Sequence, residues 1–195
     1  GFFPVVVENE DVIISGRMPA RFHFPRNRDR QKEGAPNPSL ADFIILDKKN
    51  EKDEKGEGWL GLFALSAGFG VKEAQAAFAL RHDDGASLLI ASLANALAEA
   101  FAEALHCLVR RELWGYAPDE QLAPEEATAG KYQGIRPAFG YPAAPNIAGN
   151  RTVFTVLQAE ENIGVTLTPS AMMTPEASVC GMYIAHPGAY YFNAE

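Results

Sequence analysis

The sequence predicts an α+β domain, in which an antiparallel sheet packs against one long helix and several shorter helices. Two β-branched runs around a polar turn open the chain at residues 5–14. A stretch at 86–113 then carries leucine, alanine and phenylalanine at helical spacing, and a β-rich run occupies 177–192. With 195 residues and 47% hydrophobic content, the chain is predicted to form a single domain over residues 1–195.

The first third of the chain combines strands with charged loops. The run VVVENEDVII at 5–14 predicts a β-hairpin. The charged stretches at 26–38 and 47–58, which contain glycine or proline, predict solvated loops. Between them, the short apolar segment SLADFIILD carries an acid, Asp42, among apolar neighbours.

A strand and a glycine turn follow at 59–70, where the sequence is WLGLFALSAGFG. The next run, VKEAQAAFAL, predicts a helix. This order of elements is not a dinucleotide-binding motif, because the third glycine is missing and no strand ending in an acid follows within about 20 residues. The glycines therefore predict a tight turn.

The strongest element is the long helix at 86–113, which contains neither proline nor glycine. Charges suit both ends of its dipole, with acids before the start and bases near the end: Asp83, Asp84, Arg110 and Arg111. Gly115 and Pro118 in the segment WGYAPDE predict where the helix stops.

Three polar residues of this helix lie close to one face, because Glu99, Glu103 and His106 are spaced by four and three residues. The pair Glu103 and His106 matches the Glu-x-x-His pattern of carboxylate-bridged metal sites, but such sites need the pattern twice, so no metal site is predicted. A capping or core histidine is the simpler interpretation of His106. Glu99 stands among apolar neighbours, which favours equally a salt bridge and a polar ligand.

The last third of the chain returns from helix to strand. Residues 119–132 predict a short helical connection, and 152–164 predict one amphipathic helix that ends at Gly164. The run at 165–173 predicts a strand that leaves into a loop, and ASVCGMYIAHPGAYYF at 177–192 predicts the final β-rich segment.

Composition limits the possible functions. The formal net charge of −8 argues against a surface that binds nucleic-acid phosphates or an anionic membrane. No stretch of about 18 uninterrupted apolar residues and no signal peptide is found, which predicts a soluble protein. The two cysteines, Cys107 and Cys180, are too few for a disulfide framework and favour a reducing cytoplasm.

One arginine stands in a stiff, irregular stretch, KYQGIRPAFGYPAAP, which holds three prolines. Arg136 precedes Pro137, and this rigidity suits a guanidinium that holds an anion in a fixed position. Pairing of Arg136 with an acid of the protein is the alternative that the residues leave open. No nucleophile elbow and no recognisable acid and base pair occur, so hydrolysis is not predicted and no catalytic side chain is assigned.

Several segments together closely resemble the activation domain of cobalamin-dependent methionine synthase, the module that binds S-adenosylmethionine. They occur in the family's order from about residue 40 to residue 192: LADFI, RHDD, LAEAFAEALH, WGYAPDE, YQGIRPAFGYPAAP and ASVCGMYIAHPGAYYF. Several motifs in the same order are far more specific than any one alone. The resemblance implies the same α+β fold.

The resemblance also implies the residues that contact S-adenosylmethionine. They are Asp42, Glu99, Arg136, Ala138 through its backbone, and the tyrosine pair Tyr190 and Tyr191. The ligand carries a carboxylate that suits an arginine, an ammonium, a sulfonium and hydroxyls that suit acids, and an adenine that suits an aromatic ring. By the same resemblance Tyr141 faces the corrin of cobalamin.

The reaction implied is transfer of a methyl group from the sulfonium to reduced cobalamin, as part of a 5-methyltetrahydrofolate–homocysteine methyltransferase in methionine biosynthesis. The nucleophile is the cobalt, so no proton needs to move, and the protein contributes position and exclusion of water. The cobalamin belongs to a partner domain or subunit, because no cobalt-ligating Asp-x-His-x-x-Gly motif occurs. A flavodoxin-like electron donor is the other partner implied.

Some positions depart from the family. Gly130 and Asn95 stand where an acid is common, and the chain is expected to lack the family's helical lead-in and its C-terminal helix. These departures keep a second hypothesis open, a non-catalytic relative that acts as a small-ligand-binding or protein-interaction domain.

Overall fold

The computed structural model describes residues 1–16, 18–27, 37–47 and 55–194. Within this part, the sheet and the long helix form the α+β arrangement that the sequence predicts. Its strands are β1 (Phe2–Glu8), β2 (Asp11–Ile14), β3 (Ala20–His23), β4 (Ile45–Asp47), β5 (Lys55–Ser66), β6 (Thr166–Leu167), β7 (Met173–Thr174) and β8 (Ser178–Tyr183).

Six of the described strands form one antiparallel sheet in the order β3-β2-β1-β5-β4, with β8 also paired to β5. The long strand β5 joins the two ends of the chain. Its residues 55–61 pair with β1, and its residues 61–66 pair with β8. The strands β6 and β7 form a separate two-stranded ribbon.

The hairpin and the strand with its turn at 59–70 are confirmed, whereas the final β-rich segment is strand only over β8. The hairpin at 5–14 forms as β1 and β2, with Asn9 in the left-handed conformation at the turn. The loop predicted at 47–58 is wrong at both of its ends, because residue 47 belongs to β4 and 55–58 begin β5. Pairing with β1 gives 55–58 backbone hydrogen bonds that outweigh their charged composition. The remaining loop residues, 28–36 and 48–54, lie outside the described residues.

The helices of the described part are α1 (Val71–Ala79), α2 (Asp84–Leu108), α3 (Pro124–Thr128), α4 (Gly149–Leu157) and α5 (Ala159–Ile163). The long predicted helix is confirmed as α2, which continues into a π-helical turn over Val109–Leu113. Asp83 caps its start, where a carboxylate oxygen accepts from the backbone N–H of Ala86 at 2.9 Å. Gly115, in the left-handed conformation, follows its end.

The single amphipathic helix predicted at 152–164 is instead two helices, α4 and α5. Gln158 adopts a left-handed conformation with φ of 48° and separates them. The side-chain amide of Asn162 donates to the freed carbonyl of Leu157 at 2.8 Å, which stabilises the break. Gly164 ends α5 as predicted. The strand predicted at 165–173 is formed only in part, because 166–167 make up β6 and residue 173 begins β7.

The core lies on both faces of the sheet, because side chains alternate along β5. Leu60 and Leu62 join the larger cluster with α4 and the hairpin, and Phe63 and Leu65 join the cluster under α2. Three of the four buried residues of α2 are small and four apart: Ala94, Ala98 and Ala102. The helix backbone can therefore approach the sheet closely.

The outward face of α2 is apolar as well. The large side chains exposed on it are Leu88, Leu89, Leu93, Leu97 and Phe101. By length and composition alone, the segment Asp84–Leu113 is apolar enough to cross a membrane. Such a test does not distinguish a membrane span from a helix that packs in a domain, and here the alanine face of α2 packs on the sheet.

Candidate functional site

An open cavity of about 330 Å³ lies where α2, the β5–β8 pair, the arginine loop at 131–145 and the C-terminal segment meet. Side chains from all four parts line it: Phe63, Glu99, Arg136, Pro137, Ala138, Tyr141, Pro142, Ala143, Val179, Tyr191 and Phe192. Most of these are apolar or aromatic, with one acid and one arginine. A site of this kind suits a small ligand with both apolar and charged groups.

The arginine loop is fixed against the end of β8 by backbone hydrogen bonds. Ile135 and Ile184 exchange two of them, at 2.9 and 3.1 Å, and the N–H of Met182 donates to the carbonyl of Pro137 at 2.9 Å. The loop approaches so closely that a Cβ at Gly134 would lie 2.5 Å from the carbonyl oxygen of Ile184. Glycine is therefore required at this position, where φ is also positive, at 81°.

The cavity mouth is formed by the second half of the same loop. The N–H of Ala144 donates to the carbonyl of Tyr141 at 2.8 Å and closes a tight turn, in which Tyr141 is 64% exposed. The N–H of Ala194 donates to the carbonyl of Pro142 at 2.8 Å. This bond holds the C-terminal segment across the loop, so that Tyr191 and Phe192 complete the wall.

Arg136 is held at both its backbone and its side chain. Its backbone N–H donates to the hydroxyl oxygen of Tyr191 at 2.9 Å, and its Nη2 donates to Oε2 of Glu103 at 3.4 Å. The other terminal nitrogen, Nη1, is buried without a hydrogen-bond partner among the described residues. The pairing with an acid of the protein that the sequence left open is thus present, and Arg136 also lines the cavity.

Glu99 and His106, on the same helix as Glu103, have different surroundings. Glu99 is exposed and lines the cavity, with no ion pair to any described residue. His106 is fully buried, stacks on the ring of Tyr183 at 5.0 Å and lies 3.1 Å from the hydroxyl of Tyr116. Burial, helped by nearby guanidinium groups, lowers the pKa of His106 to about 3. It is a neutral core histidine at neutral pH.

Comparisons with known proteins identify the family of this chain. The whole chain, residues 1–195, matches the family described as vitamin B12 dependent methionine synthase, activation domain. The chain belongs to that family.

A solved structure of a family member is similar over the whole of this activation-type domain. It is described as the crystal structure of the MetH reactivation domain bound to AdoHcy. The two share 38% sequence identity with a TM-score of 0.89, and the match covers 100% of this chain and 59% of the solved chain. The sequence resemblance and the α+β fold are therefore confirmed, and this chain spans somewhat more than half the length of that relative.

Two residues that the family resemblance assigns to the ligand, Asp42 and Tyr190, do not line the cavity. Asp42 lies in a 3₁₀ turn, Leu40–Phe43, where its carboxylate accepts from the backbone N–H of Ser39 at 2.9 Å and from Arg26 at 2.8 and 3.1 Å. The ring of Tyr190 packs edge-on against Phe43 at 5.4 Å. Tyr190 thus contacts the residue that follows Asp42, and neither Asp42 nor Tyr190 lies in the cavity wall.

Other cavity residues were not predicted from the sequence. Phe63 and Val179 lie on β5 and β8, where alternation would place them on a sheet face but not beside a ligand. Phe192 directly follows the tyrosine pair and could have been included with it. Glu103 was recognised on the same helix face as Glu99, but its contact with Arg136 joins residues 33 apart in sequence, which no local pattern reveals.

Proposed function

We propose that this domain binds S-adenosylmethionine in the cavity and presents its methyl group to cobalamin carried by a partner domain of methionine synthase. One observation carries the proposal. Five residues that the family resemblance assigns to ligand or cobalamin contact line one cavity: Glu99, Arg136, Ala138, Tyr141 and Tyr191. The family member bound to AdoHcy supports the same ligand class.

The cavity matches the ligand group by group. The guanidinium of Arg136 suits the carboxylate of the amino-acid part, and the unpaired carboxylate of Glu99 suits a positive group, the ammonium or the sulfonium. The rings of Tyr191 and Phe192 suit the adenine. A volume of about 330 Å³ is at the small end for a ligand of this size, so part of the ligand would stay open to a partner.

Transfer of the methyl group depends on how the sulfonium is positioned more than on acid or base catalysis. Cobalamin on the partner would supply the nucleophile that accepts the methyl group from the sulfonium. The exposed ring of Tyr141 at the cavity mouth is suited to contact a flat macrocycle that approaches from outside. This domain would hold the sulfonium in a fixed direction and exclude water around it, which lowers the entropic cost of the transfer.

The finer assignments belong to the same proposal. Asp42 and Tyr190 would join the site from its edge, where Tyr190 contacts Phe192 at a ring distance of 6.0 Å. A flavodoxin-like donor would reduce the cobalamin, and the protein would act in the cytoplasm. The alternative, a binding or interaction domain without methyl transfer, is favoured by one observation: the carboxylate of Asp42 is already paired with Arg26.

Calorimetric titration tests the proposal. S-adenosylmethionine is expected to bind with a dissociation constant between micromolar and millimolar, which corresponds to a favourable binding free energy of roughly 4 to 8 kcal/mol. The exposed acid Glu112, at the end of the long helix, provides a matched control: Glu112→Gln removes one charge from the same helix and should leave binding unchanged. Absence of binding at millimolar ligand would exclude the methyltransferase role and favour the interaction domain.

A further inference from the structure

Behind the cavity lies a compact cluster of charged and polar side chains. Among the described residues, the buried side-chain atoms that lack a hydrogen-bond partner all belong to it: Glu103 Oε1, His106 Nδ1, Arg110 Nη1, Arg136 Nη1 and Tyr183 OH. Buried polar groups are otherwise nearly always bonded in folded proteins. The orientation of each side chain in this cluster therefore depends on the few hydrogen bonds and ion pairs that it does make.

Three contacts join four side chains of alternating charge into a chain. Glu120 binds Arg110 through both carboxylate oxygens at 2.8 to 2.9 Å. Arg110 lies 3.9 Å from Glu103, and Glu103 lies 3.4 Å from Arg136. The Arg110 side chain is only 1% exposed, so it cannot turn away to solvent. Glu103 is thus the link between a fixed buried pair and the arginine of the cavity.

The contact with Glu103 also determines which edge of Arg136 remains available. Nη1 is buried and Nη2 faces Glu103, so the end of the guanidinium is directed into the protein. Nη2 carries a second N–H, and together with the N–H of Nε it forms the edge that we assign to a carboxylate in the cavity, since such a planar fork binds carboxylates through two parallel hydrogen bonds. In the described part of the chain, Arg136 has no ion pair other than the one with Glu103.

We propose that Glu103 is a positioning residue: it holds the guanidinium of Arg136 from behind, and so gives this site its preference for a ligand that carries a carboxylate. The inference rests on the proposed function. Glu103 also repels a ligand carboxylate through its own charge, but the neighbouring Arg110 offsets part of that repulsion. Loss of Glu103 leaves Arg136 free to turn, and the ligand must then order it.

The binding test compares two ligands that differ only in the carboxylate. S-adenosylmethionine and its decarboxylated form are titrated into wild type, Glu103→Gln and the control Glu112→Gln. Glu103→Gln is expected to weaken the binding of S-adenosylmethionine about 3- to 10-fold, because the ligand must then order one long side chain. Binding of the decarboxylated form should be unchanged. The control should change neither. Thermal unfolding of each variant checks that the fold is retained.

A second measurement needs no ligand. Rotation of the Arg136 guanidinium about its Cζ–Nε bond is followed by NMR, with its signals assigned through Arg136→Lys. Rotation should be faster in Glu103→Gln than in wild type and unchanged in Glu112→Gln. If wild type binds neither ligand, the proposed function fails, while faster rotation in Glu103→Gln still supports the hold on Arg136.

Three results would overturn the positioning role: unchanged rotation, equal loss of both ligands in Glu103→Gln, or unchanged or tighter binding of S-adenosylmethionine by that variant. Equal loss would mean that Glu103 only supports the fold. Tighter binding would mean that Glu103 competes with the ligand for Arg136.

Discussion

The backbone N–H of Arg136 donates to the side-chain hydroxyl of Tyr191 at 2.9 Å, across 55 residues of sequence. This bond joins the arginine loop to the C-terminal segment, and both residues line the cavity. A ligand that orders either residue therefore acts on both. The predictions below follow from this connection and from the charges around it.

Arg136→Ala is expected to weaken S-adenosylmethionine binding roughly 10- to 150-fold, since a charge-assisted contact contributes about 1.5 to 3 kcal/mol. Arg136→Lys should keep only part of the wild-type affinity, because an ammonium has the charge of the guanidinium but not its planar fork. Calorimetry measures both. Decarboxylated S-adenosylmethionine is the control, and it should bind wild type and Arg136→Ala almost equally. A loss of both ligands alike would show that Arg136 is structural.

Glu99→Gln should weaken the binding of S-adenosylmethionine more than it weakens the binding of S-adenosylhomocysteine. The first ligand carries a sulfonium charge that the second lacks, and Glu99 is the acid in the cavity wall. We expect a difference of about 2- to 10-fold between the two losses, which corresponds to roughly 0.5 to 1.5 kcal/mol for one partly exposed charge pair. Equal losses would mean that Glu99 binds a group common to both ligands, such as the ammonium.

Tyr191→Phe removes one hydroxyl and keeps the ring. The Arg136 N–H then loses its partner, and the loop is held less firmly, so S-adenosylmethionine binding should weaken about 2- to 10-fold. Tyr190→Phe is the matched control, since the described contacts of Tyr190 are ring contacts that phenylalanine retains. If the two variants bind alike, the Tyr191 hydroxyl has no part in the site.

The buried His106 should make the protein less stable in acid. Its pKa is lowered from 6.5 to about 3, by burial first and then by Arg110 and Arg136. Below pH 6.5 the unfolded chain takes up a proton that the folded chain does not, so stability falls as the pH drops from about 6.5 towards 3. Between pH 8 and pH 5 this amounts to about 2 kcal/mol.

Urea unfolding of wild type and His106→Gln at the two pH values measures this contribution. The glutamine does not titrate, so the variant should lose about 2 kcal/mol less than wild type between pH 8 and pH 5. Burial raises the pKa of the neighbouring Tyr116 and Tyr183, so neither tyrosine changes its charge between pH 8 and pH 5 in either protein. Equal losses would mean that His106 titrates normally in the folded state.

Much of the fold was predictable because its determinants are local. The hairpin β1–β2 and the long helix α2 follow from side-chain periodicity within one segment, and the ends of α2 follow from Asp83 and Gly115. Family motifs in order also placed Glu99, Arg136, Ala138, Tyr141 and Tyr191, all of which line the cavity. Their roles toward the ligand stay predictions.

Other features depended on contacts between distant segments. Composition made residues 55–58 look like a loop, but β1 supplies their hydrogen-bond partners and makes them strand. Gln158 adopts a left-handed conformation that interrupts the helix, and the periodicity of the side chains does not predict this break. Arg110 was expected simply to complement the helix dipole, and tertiary packing instead buries it against Glu120.

By itself, the sequence determined the family, the α+β class and the residue types of the site, because motifs and periodicity are local patterns of neighbouring residues. Only the tertiary structure decided which charges meet. Asp42 pairs with Arg26, and Glu103 stands behind Arg136, because the sheet and α2 bring together segments far apart in the chain. Electrostatic pairing depends on distance in space, and a linear sequence does not specify that distance.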